Sequence, residues 1–270
     1  MNDVLPGLGN AWIATVLLVS ARIAALFLMT PVLHAMPLPT SVRVLLAVGL
    51  SVALAFPFAG GAGALPAADA MAQAFLGELA LGATLGLGIL MAFSGFAVAG
   101  RLLDVQVGFG IGQVFDPVTR TQIPVLTSVF TLFGVLLFFL VDGHHALLRG
   151  VSLSLERFPV GRPWPLQASA GPVLQQAAGL FALGFALAAP VVMCLLLVEF
   201  ALGVVARNLP QVNMFVLGIP VKIIAGLLAL SLWTSGMGAV TLRIYGEIYR
   251  TWTGVLTLPA AAGDPARGGR

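Results

Sequence analysis

Charge is scarce in this chain. Lys and Arg together number 13 and Asp and Glu 10 among 270 residues, so 9% of the chain is charged while 59% is hydrophobic, and mean hydropathy is +1.05. A soluble domain carries roughly a quarter charged residues. So little charge cannot cover a water-facing surface, which leaves an integral membrane protein or a subunit buried in a membrane-associated assembly. The net charge of +3 is scattered, with no polybasic run. Nucleic-acid binding is therefore not supported.

Cysteine is nearly absent. Cys194 stands alone inside an apolar run, which excludes an internal disulfide and a cysteine-based zinc site and suggests a buried structural thiol. A basic N-terminal cluster is also missing. Asp3 comes first and Arg22 interrupts the first apolar run, the reverse of the charge order in a cleavable signal, so this segment is expected to stay in the protein.

Histidine appears three times, and only Gly143-His144-His145, after Asp142, brings two together. Neighbouring residues on a helix point about 100° apart. The two imidazoles are therefore expected to miss a common ion, leaving a polar helix end and no metal site. There is no Ser/His/Asp arrangement with a credible nucleophile and no paired carboxylates in an aqueous cleft. No catalysis and no cofactor are expected.

What the chain has in quantity is apolar length. Six segments, at 11–30, 42–57, 71–100, 123–141, 172–201 and 213–238, lie near the roughly 20 residues that span a bilayer as helix. The second is short, and the third and fifth are long enough to tilt or project beyond lipid. Residues 144–158 and 240–256 read as amphipathic helices. Pro31 to Pro39 reads as a turn, Arg101 to Thr121 as the longest polar connection, and the prolines from Pro159 to Pro165 exclude continuous helix there. The expected fold is all-α: a multi-helix membrane-associated protein with tilted and broken helices. Residues 1–258 form one domain, and the Ala/Gly/Pro-rich tail 259–270 is disordered. Counting Lys and Arg by loop violates the positive-inside rule in either orientation, so some apolar segments are expected not to cross lipid.

Two polar stretches interrupt the apolar pattern. From Arg207 to Lys222 the chain carries Pro210, Gln211, Asn213 and Pro220 between two apolar runs. Polar groups and helix breakers at membrane depth imply packing against protein or a pathway. From Asp104 to Pro117, glycines at 108, 110 and 112 alternate with Phe109, Ile111, Val114 and Phe115, framed by Asp104, Gln106 and Asp116. The Gly-x-Gly-x-Gly pattern has no preceding strand, Lys or Ser/Thr for a nucleotide. The glycines would let the loop move, and its apolar side chains could close a pore by dewetting. Glu78, Glu199 and Lys222 lie in or beside apolar runs, with Arg22, Arg207 and Lys222 as candidate partners. The plain reading of these charges is ion pairs that lock neighbouring helices, ahead of a proton relay. Gly82 and Gly86, with Ala83 and Gly88 nearby, give one helix a small-residue face for close packing.

Several of these strings together resemble the FliR/SctT family of type III export-gate subunits. They are Asp104-x-Gln-x-Gly-Phe109, Asp116-Pro117, Gly143-His-His145, Phe158-Pro-Val-Gly161 and Glu199 through Lys222, in order over about Ala21 to Val255. The resemblance implies a subunit that joins FliP and FliQ in a pore-lining complex beneath the flagellar rod, with FlhB at its base. Its cargo would be unfolded flagellar proteins crossing the inner membrane. It also implies helices tilted and partly raised out of the lipid, and a channel plug formed by Gly108 to Phe115. Some relatives place aromatics where Ile111 and Val114 stand, so the implied plug is less bulky there. Asp104, Gln106, Asp116, Pro117, Gly143, His144, Glu199, Arg207, Pro210, Gln211, Asn213, Pro220 and Lys222 are expected to make polar structural or subunit contacts. Two rivals are the equivalent virulence-system subunit and a small-solute transporter using Glu199 and Lys222.

Overall fold

The computed structural model describes residues 4–35, 38–56, 68–109, 124–161, 164, 166–209, 211 and 213–257. Among these, every regular element is a helix. In chain order they are α1 (Val4–Met29), α2 (Pro31–Ala35), α3 (Thr40–Ala55), α4 (Ala68–Val107), α5 (Val125–Leu140), α6 (Gly143–Arg157), α7 (Leu166–Asn208), α8 (Met214–Trp233), a 3₁₀ turn (Thr234–Gly236) and α9 (Met237–Leu256). Ile111, Gly112, Val114, Phe115, Asp116 and Pro117, with Gly110 and Pro210, lie outside the described residues, as does the tail.

The all-α expectation holds, and the count of six apolar segments is approximate. Among the described residues, four helical stretches are long and apolar enough to cross a membrane, or five if α5 and α6 form one broken span. Helix α3 has 16 residues, about 24 Å at 1.5 Å per residue, short of the roughly 30 Å hydrocarbon core. Helix α5 is equally short. By contrast, α4 has 40 residues and α7 has 43, about 60 and 65 Å, twice the core thickness. The polar connection expected from Arg101 is helical as far as Val107, because buried Leu103 and Val107 continue the helix's inward stripe. Hydropathy ended that segment at its first charges, which are no obstacle to helix. The proline-bounded turn likewise contains the short α2.

The chain divides into two compact units. The first comprises residues 1–90, 139–176 and 248–270. Here α3 packs on α1 through Ala47, Ser51 and Ala55, one stripe at helical spacing. Helix α4 meets α1 at the small-residue face. A Cβ on Gly82 would collide with the Arg22 carbonyl, and one on Gly86 would stand 2.7 Å from the Met29 Cβ. Only glycine permits that approach. Trp252 of α9 lies against Gly150 of α6 and donates its indole N–H to the Leu85 carbonyl at 3.0 Å.

The second unit comprises residues 91–138 and 177–247. Its core is an aromatic cluster of Phe93, Phe96, Phe138 and Tyr245, with ring centroids 5.8–6.2 Å apart. Such pairs add about 0.5–1.5 kcal/mol each beyond area burial. The Tyr245 hydroxyl donates to the Gly134 carbonyl, so the one polar atom of the cluster is satisfied. Trp233 is tied in the same way to the Leu187 carbonyl at 2.9 Å.

Candidate functional site

Residues 110–123, which carry most of the predicted plug, are flanked by α4 and α5, and the second unit joins those flanks. Asp104 is 5% exposed in the last turns of α4. Its Oδ1 accepts the Leu126 N–H at 2.8 Å, and its Oδ2 accepts the Thr127 N–H at 2.9 Å and the Thr127 hydroxyl at 2.7 Å. Helix α5 follows Pro124 and has no capping side chain of its own at that position. A carboxylate from α4 therefore caps its first turn, where the helix dipole favours negative charge. Gly100 permits this approach, since a Cβ there would stand 2.5 Å from the Thr127 Cα. Gly108, at φ +98°, turns the chain out of α4 in a conformation suited to glycine.

Beside this clamp, Glu199 of α7 links two more elements. Its Oε2 accepts from the Gln106 amide at 3.4 Å and its Oε1 pairs with the Lys222 ammonium of α8 at 3.3 Å. The Glu199 side chain is 54% exposed and Lys222 20%. The surrounding surface is apolar: Leu196, Phe200, Val221 and Ile224 are all exposed. Arg207 is exposed in the last turn of α7, where a cation suits the dipole. Gln211 is exposed, and Asn213 caps α8, its Oδ1 accepting from the Val216 N–H at 3.4 Å. Pro220 sits inside α8 without ending it, although an interior proline removes one backbone donor.

The first unit holds a different polar group, fully buried. Arg22 is 1% exposed and Glu78 2%, with Nε to Oε2 at 2.5 Å. The remaining guanidinium nitrogens donate to the Ser154 hydroxyl at 3.1 Å and the Phe158 carbonyl at 2.9 Å. The other Glu78 oxygen accepts the Gly161 N–H at 3.1 Å. Gly161 has φ +84°, which is why a glycine closes this turn. The Phe158-Pro-Val-Gly161 string thus supplies backbone partners to a buried ion pair.

The histidine geometry corrects an expectation. The His144 and His145 rings lie 4.2 Å apart rather than splayed. With Asp142 they bring donor atoms within 4.8 Å of one another. The residues start α6, whose N-terminal partial positive charge opposes a cation, and His145 already faces the Asp142 carboxylate at 3.5 Å. The group reads as a polar helix end, with Gly143 buried beneath it.

A sequence profile of bacterial export proteins, family 1, matches residues 13–248. The chain belongs to this bacterial export protein family. Among its relatives, the flagellar biosynthetic protein FliR of Bacillus subtilis is 33% identical over 184 residues, covering 67% of this chain and 71% of that protein. FliR of Escherichia coli is 26% identical over 243 residues, covering 87% and 90%. The secretion system apparatus protein SsaT of Salmonella typhimurium is 27% identical over 155 residues, covering 57% and 60%. As a family member with these apolar helices, the chain is a multi-pass inner-membrane component of a type III export apparatus, and the flagellar relatives reach higher identity and longer alignment.

Within this export family member, sequence reading found both ion pairs as candidates and left their assignment open. It did not find Thr127, Ser154 or the backbone donors and acceptors around them. A lone Thr or Ser beside an apolar run carries no signal until the partner helix is known.

Proposed function

We propose that the chain is a core subunit of the flagellar protein-export gate and has no catalytic role. It builds part of a conduit with FliP and FliQ, with FlhB at the base, through which unfolded flagellar proteins leave the cytoplasm. Residues 1–258 serve as one gate domain, and the loop from Gly108 to Phe115 seals the closed channel. The observation that supports the seal is the Asp104 clamp. It holds together the helices on either side of that loop, so the loop would move between fixed posts. The exposed Glu199–Lys222 pair amid exposed apolar residues supports a neighbouring subunit. Such a face suits neither hydrocarbon nor water, and protein can satisfy both parts of it.

Deleting Phe109 to Phe115 should leave the complex assembled and make the membrane leak ions or small solutes. Unchanged permeability with the complex intact would sink the seal. A second reading, a virulence-type secretion subunit, is favoured by the SsaT relative and by a SpaR relative 28% identical over 145 residues. Loss of swimming on deletion of the gene supports the flagellar reading; retained swimming supports the other.

A further inference from the structure

Between α6 and α9 the first unit contains a cavity of about 550 Å³, within the range of small-ligand sites. Its charged and ionisable side is a stripe of Asp142, His145 and Arg149 at helical spacing on the α6 side. Asp142 and Arg149 are seven residues apart, about 10 Å along the helix. They do not pair with each other. The partner of Asp142 is His145, and Arg149 forms no ion pair among the described residues. The stripe ends one turn on at Leu153, and the facing α9 side presents Trp252 and Leu256 together with Tyr249 and Thr253. Trp252 is held firmly, because it fills the space a Cβ on Gly150 would need and is bonded to Leu85.

The cavity's position matters as much as its lining. Its α9 side lies at the end of the helical stretch Val216–Leu256, one of those long and apolar enough to cross a membrane. Ends of spans lie at headgroup depth, where Trp and Tyr gather. An exposed, unpaired Arg beside an apolar wall at that depth matches a lipid phosphate, which a guanidinium grips in bidentate fashion. The nearby carboxylate then discriminates among lipids. It repels a purely anionic headgroup, accepts hydrogen bonds from a primary ammonium, and gains none from a quaternary one.

We propose that this cavity seats a zwitterionic phospholipid of the phosphatidylethanolamine type. The phosphate lies on Arg149, the ammonium on Asp142, and the acyl chains start along Leu153 and Leu256.

The test uses the full chain purified with its export partners in mixed micelles containing equal phosphatidylethanolamine, phosphatidylcholine and phosphatidylglycerol. Retained lipid is identified by native mass spectrometry. The expected result is several-fold retention of phosphatidylethanolamine over the other two, lost in Arg149→Gln. In Asp142→Asn, phospholipid should still bind, but the preference over phosphatidylcholine should vanish. Glycerophosphoethanolamine, the same headgroup without chains, should fail to displace the lipid at millimolar concentration; if it succeeds, the site is for the headgroup alone and the lipid proposal fails. Equal retention of the three lipids, no retention because another protein fills the cavity, or unchanged selectivity in both variants would overturn the proposal. If a variant does not assemble, the wild-type lipid ranking decides by itself.

Discussion

Arg22 is 1% exposed within a helix apolar enough to cross a membrane. Three residues, Ser154, Phe158 and Gly161, hold its guanidinium and the facing carboxylate of Glu78 by hydrogen bonds, and the two ions hold each other. Removing one member of such a pair strands a buried charge, at about 3–5 kcal/mol. Replacing Glu78 with Leu alone should therefore lower thermal stability in detergent by that order. Combining it with Arg22→Met should recover part of the loss. Recovery should stop short of wild type, because the Phe158 carbonyl and Gly161 N–H lose their partners, at about 1–3 kcal/mol for a buried unsatisfied group. If the double variant were no more stable than Glu78→Leu, the pair would not be the coupled unit described.

At the scale of elements, the informative feature is the Asp104 carboxylate, which caps a helix through N–H groups 22 and 23 residues further along the chain. Asp104→Ala leaves the Leu126 and Thr127 N–H groups without their acceptor and should cost about 1–2 kcal/mol, as loss of a strong N-cap does. Thr127→Val removes only the hydroxyl contact and should cost less. Thermal melts of the two variants check the order, and an equal effect would mean that the clamp does not hold α5. The same carboxylate shows what sequence could and could not reveal. Asp104 was legible as a polar contact, because a carboxylate that close to an apolar run needs a partner. Its partner was not, since two backbone N–H groups look alike at every position. Helix lengths failed for a related reason. Hydropathy measures suitability for lipid, and the polar ends of α4 and α7 are good helix that lipid need not cover. The all-α character survived because apolar runs of that length have few other ways to satisfy their backbone.

For the whole molecule, the shortage of charge and the failed positive-inside count have one physical account. Helices such as α4 and α7 are about twice the thickness of the hydrocarbon core, and much of the apolar surface of α7 and α8 is exposed, including Leu197, Phe200, Leu217, Leu228 and Leu232. Surface of that kind, broken by the Glu199–Lys222 pair, calls for protein neighbours over part of its extent. Copurification with stoichiometry from detergent-solubilised membranes tests this most directly. The account predicts that the chain comes out bound to FliP-like and FliQ-like subunits in one hetero-oligomer. A lone chain or homo-oligomer that carries a small solute across vesicle membranes would contradict it.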